Sequence, residues 1–311
     1  MKLAQWLPMI YLAAIVSAAL GAATKDADKG GSKASAAAGV AGFPTTAEAP
    51  CKIVQRVQNL PNVLAEASGA AQSRRHPELF WSHGDTHGTE LFAIDAGAKM
   101  AGRVSVNGAQ RGDWEDIANG PCPAGQCLYV ADIGDNTASR KSVSIYRVPE
   151  PEPRDAATKP AETFQARYPD GPNDAEALFV LSADEVYAVT KGDTGPIAIY
   201  RFPLKAASGP PPAMEKIREL ASGKVRHDKT VTGASATPNG RWVALRSPTA
   251  VAFFPAKDLL GGGAPAFAVD LRELKEPQGE GVSLGADGSV ILTGEGRIGG
   301  GTVARLSCQL P

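Results

Sequence analysis

After residue 50 the hydrophobic positions fall in short alternating runs cut by Gly, Pro, Asn and Asp, a period of two that predicts strands rather than helices. Only Pro212–Ala221 admits a helical reading. The pattern recurs five times. An acidic or small-polar segment opens a strand at Glu66, Glu115, Glu176, Gly233 and Glu280, with separations of 49, 61, 57 and 47 residues. In the first three repeats a near-copied turn follows: Gly84-Asp85-Thr86, Gly134-Asp135-Asn136 and Gly192-Asp193-Thr194. The second repeat predicts strands at 115–119, 128–132, 143–148 and 162–168, and the third at 176–181, 186–190, 197–202 and 216–221. The fourth predicts 233–237, 241–246, 250–254 and 267–271, with Asn239-Gly240 as a turn pair tolerant of positive φ, as is Asp287-Gly288 in the fifth. Trp81, Tyr129, Tyr187 and Trp242 recur in the second strand and are read as core between repeats.

The fifth repeat offers 280–284, 289–293 and 302–308 and lacks a fourth strand, while 51–57 stands alone before the first repeat. Laid antiparallel beside 302–308, that orphan completes the sheet and removes two exposed edges. The expectation is an all-β propeller of four-stranded antiparallel blades, closed by its N-terminal strand on its C-terminal blade. Five blades are counted; six follow if 203–230 or 255–278 holds a degenerate one.

Residues 1–23 read as a signal peptide, with Lys2, an apolar run from Leu7 and small residues at Gly21-Ala22-Ala23. Residues 24–50, poor in large apolar side chains, are expected to be a disordered tether before one propeller domain at 51–311. Export to the periplasm or the medium makes the four cysteines readable as disulfides, Cys122 with Cys127 and Cys51 with Cys308. With 32 Lys and Arg against 33 Asp and Glu, composition gives no electrostatic case for nucleic acid or for an anionic membrane. After signal cleavage a monomer with no membrane contact is expected.

In such a blade the start of the first strand and the end of the second lie at one end of the sheet. Glu66, Glu115, Asp116, Glu176 and Glu280 are therefore expected on one rim with His83, Asp85, His87, Asp132, Asp135, Asn136, Lys191, Asp193, Arg246, Glu295 and Arg297. Carboxylates converging on a narrow channel repel, and protonation, a neighbouring Lys or Arg, or a bound cation relieves them. An oxygen-rich rim suits Ca²⁺, with Glu115, Glu176, Glu280, Asp135 and Asn136 as its candidate ligands. The competing reading of each Gly-Asp turn is an Asp that caps its own backbone. His83, Asp132, Lys191 and Arg246 are the candidate catalytic groups. Gly281-Val-Ser-Leu-Gly285 lacks the strand–turn–helix setting of a nucleophile elbow, and the glycine runs at 261–263 and 299–301 precede no helix that would bind phosphate.

The segments Asp113-Trp-Glu-Asp-Ile-Ala118, Leu128-Tyr-Val-Ala-Asp-Ile-Gly-Asp-Asn136, Asp174-Ala-Glu-Ala-Leu178 and Gln278-Gly-Glu-Gly281 resemble bacterial secreted β-propeller proteins of poorly defined function. More distantly they resemble phytase-like and gluconolactonase/paraoxonase-like propellers. That resemblance implies channel carboxylates around Ca²⁺, matched by position at Glu115, Glu176 and Glu280, and hydrolysis of a phosphate ester or a lactone. The families' Asn ligands have no assigned counterpart. The alternative is a non-catalytic propeller that binds a small molecule, glycan or protein.

Overall fold

A computed structural model describes residues 39–84, 88–205, 209–296 and 300–311. Five four-stranded antiparallel sheets follow one another along the chain. Blade 1 comprises Ala67–Gln72, Phe80–Gly84, Glu90–Ile94 and Met100–Ser105. Blade 2 comprises Trp114–Cys122, Gly125–Asp132, Val143–Pro149 and Glu162–Ala166. Blade 3 comprises Ala175–Ser182, Glu185–Thr190, Ile197–Phe202 and Glu215–Ala221. Blade 4 comprises Gly233–Ala236, Trp242–Ser247, Ala250–Pro255 and Phe267–Asp270. Blade 5 takes Gln278–Leu284, Ser289–Glu295 and Thr302–Cys308, and its outer strand is the N-terminal Cys51–Asn59. The first strand of each blade touches the first strand of the next, and that of blade 5 touches blade 1. The molecule is a five-bladed propeller.

Each junction between blades carries its own apolar core, because alternate residues of a strand face opposite sides of its sheet. Trp81 lies in the core between blades 1 and 2, Tyr129 between 2 and 3, Tyr187 between 3 and 4, and Trp242 between 4 and 5. The fifth core joins blade 5 to blade 1 through Phe80, Phe92, Ile291 and Val303. Closure has the expected register, with Cys51 opposite Cys308, and the two are disulfide-bonded at a Cα separation of 4.0 Å. Cys122 and Cys127 form the second bond across their hairpin.

Three expectations need correction. Residues 39–50 are not a disordered tether: Gly39–Val40 and Phe43–Pro44 form a hairpin on blade 4. Its two large apolar residues explain this, since Val40 is fully buried and Phe43 packs edge-on against Phe254. The stretches 203–230 and 255–278 hide no sixth blade. Each supplies the outer strand of its own blade, the first being Glu215–Ala221 where a helical period was conceivable, and the second adds the short helix Ala256–Gly261. Finally, in the turn pairs Asn239-Gly240 and Asp287-Gly288 only the glycines have positive φ. Asn239 and Asp287 instead accept hydrogen bonds from the amides of Arg241 and Ser289 two residues on, which fixes the turn through the side chain.

The Cys51–Cys308 bond closes a loop of 257 residues, whereas Cys122–Cys127 closes one of 5. On the loop-entropy model the first stabilises by up to about 5 kcal/mol and the second by less than half of that. Replacing Cys51 and Cys308 by Ser should lower the melting temperature by about 10 °C. The same change at Cys122 and Cys127 should have a clearly smaller effect, and equal losses would contradict ring closure as the source of the stability.

Candidate functional site

The strand register builds one mouth of the central channel. Ala67 pairs with Gly84, Trp114 with Asp132, Ala175 with Thr190, Gly233 with Arg246 and Gln278 with Glu295. Glu115, Glu176 and Glu280 accordingly lie at the starts of three innermost strands, with only 9%, 7% and 6% of their surface exposed. The Glu115 carboxylate sits against Gly134, where an added Cβ would come within 2.2 Å of its Oε1. Only a glycine allows that approach.

Among the innermost strands Asp116 is fully buried and bridges three blades. Its Oδ1 accepts from the Ile117 amide, and its Oδ2 accepts from Leu178 of blade 3 at 2.8 Å and Ala234 of blade 4 at 3.2 Å. Burial raises its pKa well above the usual carboxylate range, against the pull of those three amides.

Among the described residues Lys191 gathers several carboxylates of the mouth around one ammonium. Its Nζ pairs with Glu176 Oε1 and lies 3.9 Å from Asp174 Oδ2 and 3.7 Å from Asp193 Oδ2. Burial works to lower the pKa of this ammonium, but the three carboxylates outweigh it and hold it up. Burial first, and the charge of Glu280 second, hold the Glu176 carboxyl well above its ordinary range. Burial also pushes Glu280 up to about 7, opposed by a hydrogen bond and aided by Glu295. The opposing donor is Gln278 Nε2, 2.7 Å from Glu280 Oε1 and 3.0 Å from Glu295 Oε2.

Other predicted residues share this end but serve the frame. Asp135 accepts from the amides of Ser139 and Arg140 and so caps its own turn, and neighbouring Asn136 is exposed. Asp132 accepts from the Asp113 amide and pairs with Arg140 at 2.8 Å. Arg246 is fully buried. It donates to the carbonyls of Gly281 and Thr293 and to Glu276, locking blade 4 to blade 5. His83 is fully buried, edge-on to Trp114 with centroids 5.9 Å apart, and desolvation brings its pKa down to about 4. It therefore stands neutral among the residues between blades 1 and 2. Asp85, His87 and Arg297 lie outside the described residues.

The donors named for Ca²⁺ are largely engaged by the protein. Glu176 holds the Lys191 ammonium, Glu280 accepts from Gln278, and Asp135 is taken up by backbone amides. Among the described residues no three His, Cys, Asp or Glu side chains are gathered as metal ligands. A calcium ion would have to compete with Lys191 for Glu176 and with Gln278 for Glu280.

Sequence reasoning did not single out Asp174, Gln278 and Glu276. A signal for the first two exists. Asp113-x-Glu115, Asp174-x-Glu176 and Gln278-x-Glu280 share one spacing at the entry to three innermost strands. Nothing comparable marks Glu276, which precedes its strand.

No protein-family model matches the sequence, and no curated protein matches it. Among solved structures the chain is similar to the PQQ-bound aldose sugar dehydrogenase of Streptomyces coelicolor, with a TM-score of 0.51 and 12% identity over 85% of this chain and 100% of that one. It is also similar to a gluconolactonase from Xanthomonas campestris, with a TM-score of 0.43 and 12% identity over 86% and 98%. The likeness is one of fold. Among the described residues no helix is long and apolar enough to cross a membrane, and two disulfides fit an oxidising compartment.

Because the folded pKa of Glu280 exceeds the unfolded one, its contribution to stability is present below the unfolded carboxylate range and is lost as pH rises toward 7. Glu280→Gln should therefore melt above wild type at pH 8, and the advantage should vanish near pH 4. Calcium and a chelator should leave both melting temperatures unchanged. A calcium site at hundredfold excess over its Kd would instead add about 2.7 kcal/mol, lost in the variant.

Proposed function

We propose that the mouth is an acid–base site for hydrolysis of a small hydroxylated ester, a sugar lactone being the simplest substrate of this class. The observation that carries the reading is Glu280, a nearly buried carboxyl at the start of an innermost strand whose pKa of about 7 keeps both protonation states available near neutrality. In the proposed step the Glu280 carboxylate takes a proton from water as the water oxygen attacks the lactone carbonyl carbon. The ring C–O bond then breaks, and Glu280 returns the proton to the departing alkoxide. Lys191, whose charge acts on both Glu176 and Glu280, is the cation that offsets charge on the carbonyl oxygen. Phosphate esters suit this mouth poorly. Even while Glu176 and Glu280 hold protons, Glu115, Asp174 and Asp193 outnumber Lys191 among the described residues, so a phosphate dianion would be repelled.

A second reading, binding without turnover, draws support from how little of the three glutamates is exposed. One experiment separates the two. With glucono-1,5-lactone, wild type should accelerate ring opening with a kcat/KM profile that turns near pH 7. Glu280→Gln should lower kcat/KM by about 10²–10⁴. Equal rates in wild type and variant would refute the acid–base role. Protection against melting by the lactone, without hydrolysis, would favour the binding propeller.

A further inference from the structure

Three carboxylate oxygens around Lys191 have no hydrogen-bond partner: Asp174 Oδ2, Glu176 Oε2 and Asp193 Oδ1. Two belong to side chains almost wholly out of water, Asp174 at 1% and Glu176 at 7% exposure. A buried polar atom without a partner is destabilising, more so when charged, so such atoms gathered at a mouth are acceptors that a donating ligand would satisfy.

The chemistry of that group follows from what is already there. All three oxygens accept once ionised, and a bound cation would itself draw the proton from Glu176, so the ligand they suit is a donor. Lys191 pairs with the other oxygen of Glu176 and lies 3.7 Å from that of Asp193, but Asp174 Oδ2 is 3.9 Å from it, outside hydrogen-bond reach, while Asp174 Oδ1 accepts from the Asp135 amide at 2.7 Å. This one ammonium among the described residues does not saturate the cluster. Neutral hydroxyls could donate but would leave the excess negative charge in place. A primary ammonium carries three donors and one positive charge, matching three orphan oxygens in number and sign.

We propose that the ligand of the mouth bears a protonated amine, which donates to Asp174 Oδ2, Glu176 Oε2 and Asp193 Oδ1 beside Lys191. The inference rests on the reading of the mouth as the ligand site, and it narrows the substrate class to amino-substituted sugars or esters. Asp193 is the most accessible of the three acceptors, with its side chain 35% exposed, and is the one whose alteration least endangers the fold.

The test is calorimetric titration of the folded protein at pH 7 with D-glucosamine, D-glucose and N-acetyl-D-glucosamine, which share a ring and carry at C2 an ammonium, a hydroxyl and a neutral amide. Glucosamine should bind at least about tenfold more tightly than the other two, the worth of one charge-assisted hydrogen bond. Asp193→Asn should remove most of that preference while its melting temperature stays near wild type. A preference retained in Asp193→Asn would overturn the assignment. So would calcium, at equal concentration, giving the same protection against melting as glucosamine, since the acceptors would then serve a metal. Equal affinity for glucose and glucosamine would overturn the amine and leave the mouth as the site. Failure of all three sugars, with lactone turnover also indifferent to Glu280→Gln, would overturn both readings together.

Discussion

Five innermost strands ringed about one axis create a problem that governs the rest of the molecule. Each is the edge of its sheet, and its free amides and carbonyls face a space narrow enough to exclude most water. The blades do not pair there as one sheet; side chains bridge them. Ser68 donates to the Glu115 carbonyl from blade 1 to blade 2, and Asp116 carries the link from blade 2 to blades 3 and 4. Thr232 donates to the Gly279 and Glu280 carbonyls, and Ser235 accepts from the Leu284 amide, joining blades 4 and 5. Ser283 accepts from the Gln72 amide and Thr293 donates to the Ser68 carbonyl, returning the ring to blade 1. Each bond is modest, but an unpaired buried group would cost about 1–3 kcal/mol, so the set is needed as a whole.

The same narrowness concentrates charge. Carboxylates that would be harmless on an open surface meet at the mouth with little water to screen them. Two remedies operate in one place. Lys191 draws Glu176, Asp174 and Asp193 toward a single ammonium, and Glu280 retains a proton to a pH near 7. Arg140 and Arg246 do similar work for Asp132 and Glu276, but as parts of the frame. A group that titrates near neutrality beside a fixed cation is thus a consequence of ring geometry, and it is also what acid–base chemistry requires.

The frame was legible because strand alternation and turn residues are local signals. Ile197–Phe202 has the predicted bounds, and Thr302–Cys308 with Cys51 closes the ring as the orphan-strand argument required. The rim was legible for the same reason, since position along a strand fixes which end of the sheet a residue occupies. The direction in which each side chain turns was not. Arg246 and His83 belong by sequence position with Lys191, yet one lies beneath blade 5 carbonyls and the other against Trp114. Contacts between blades decide that, and no single repeat encodes them. Asp135 illustrates the converse: its side chain obeys the local turn chemistry and so leaves the site. Val40 and Phe43 were hidden by the composition around them, although two apolar side chains suffice to dock a hairpin.

The most direct measurement is a carboxyl titration of protein labelled with ¹³C at the glutamate side chains, with Glu280→Gln used to assign the resonance. The account predicts one carboxyl, absent from the variant, whose midpoint is near 7. A Glu280 that titrates in the ordinary range of about 4–5 would mean that the mouth is neither dry nor crowded enough to hold its proton, and the acid–base site would fall with it.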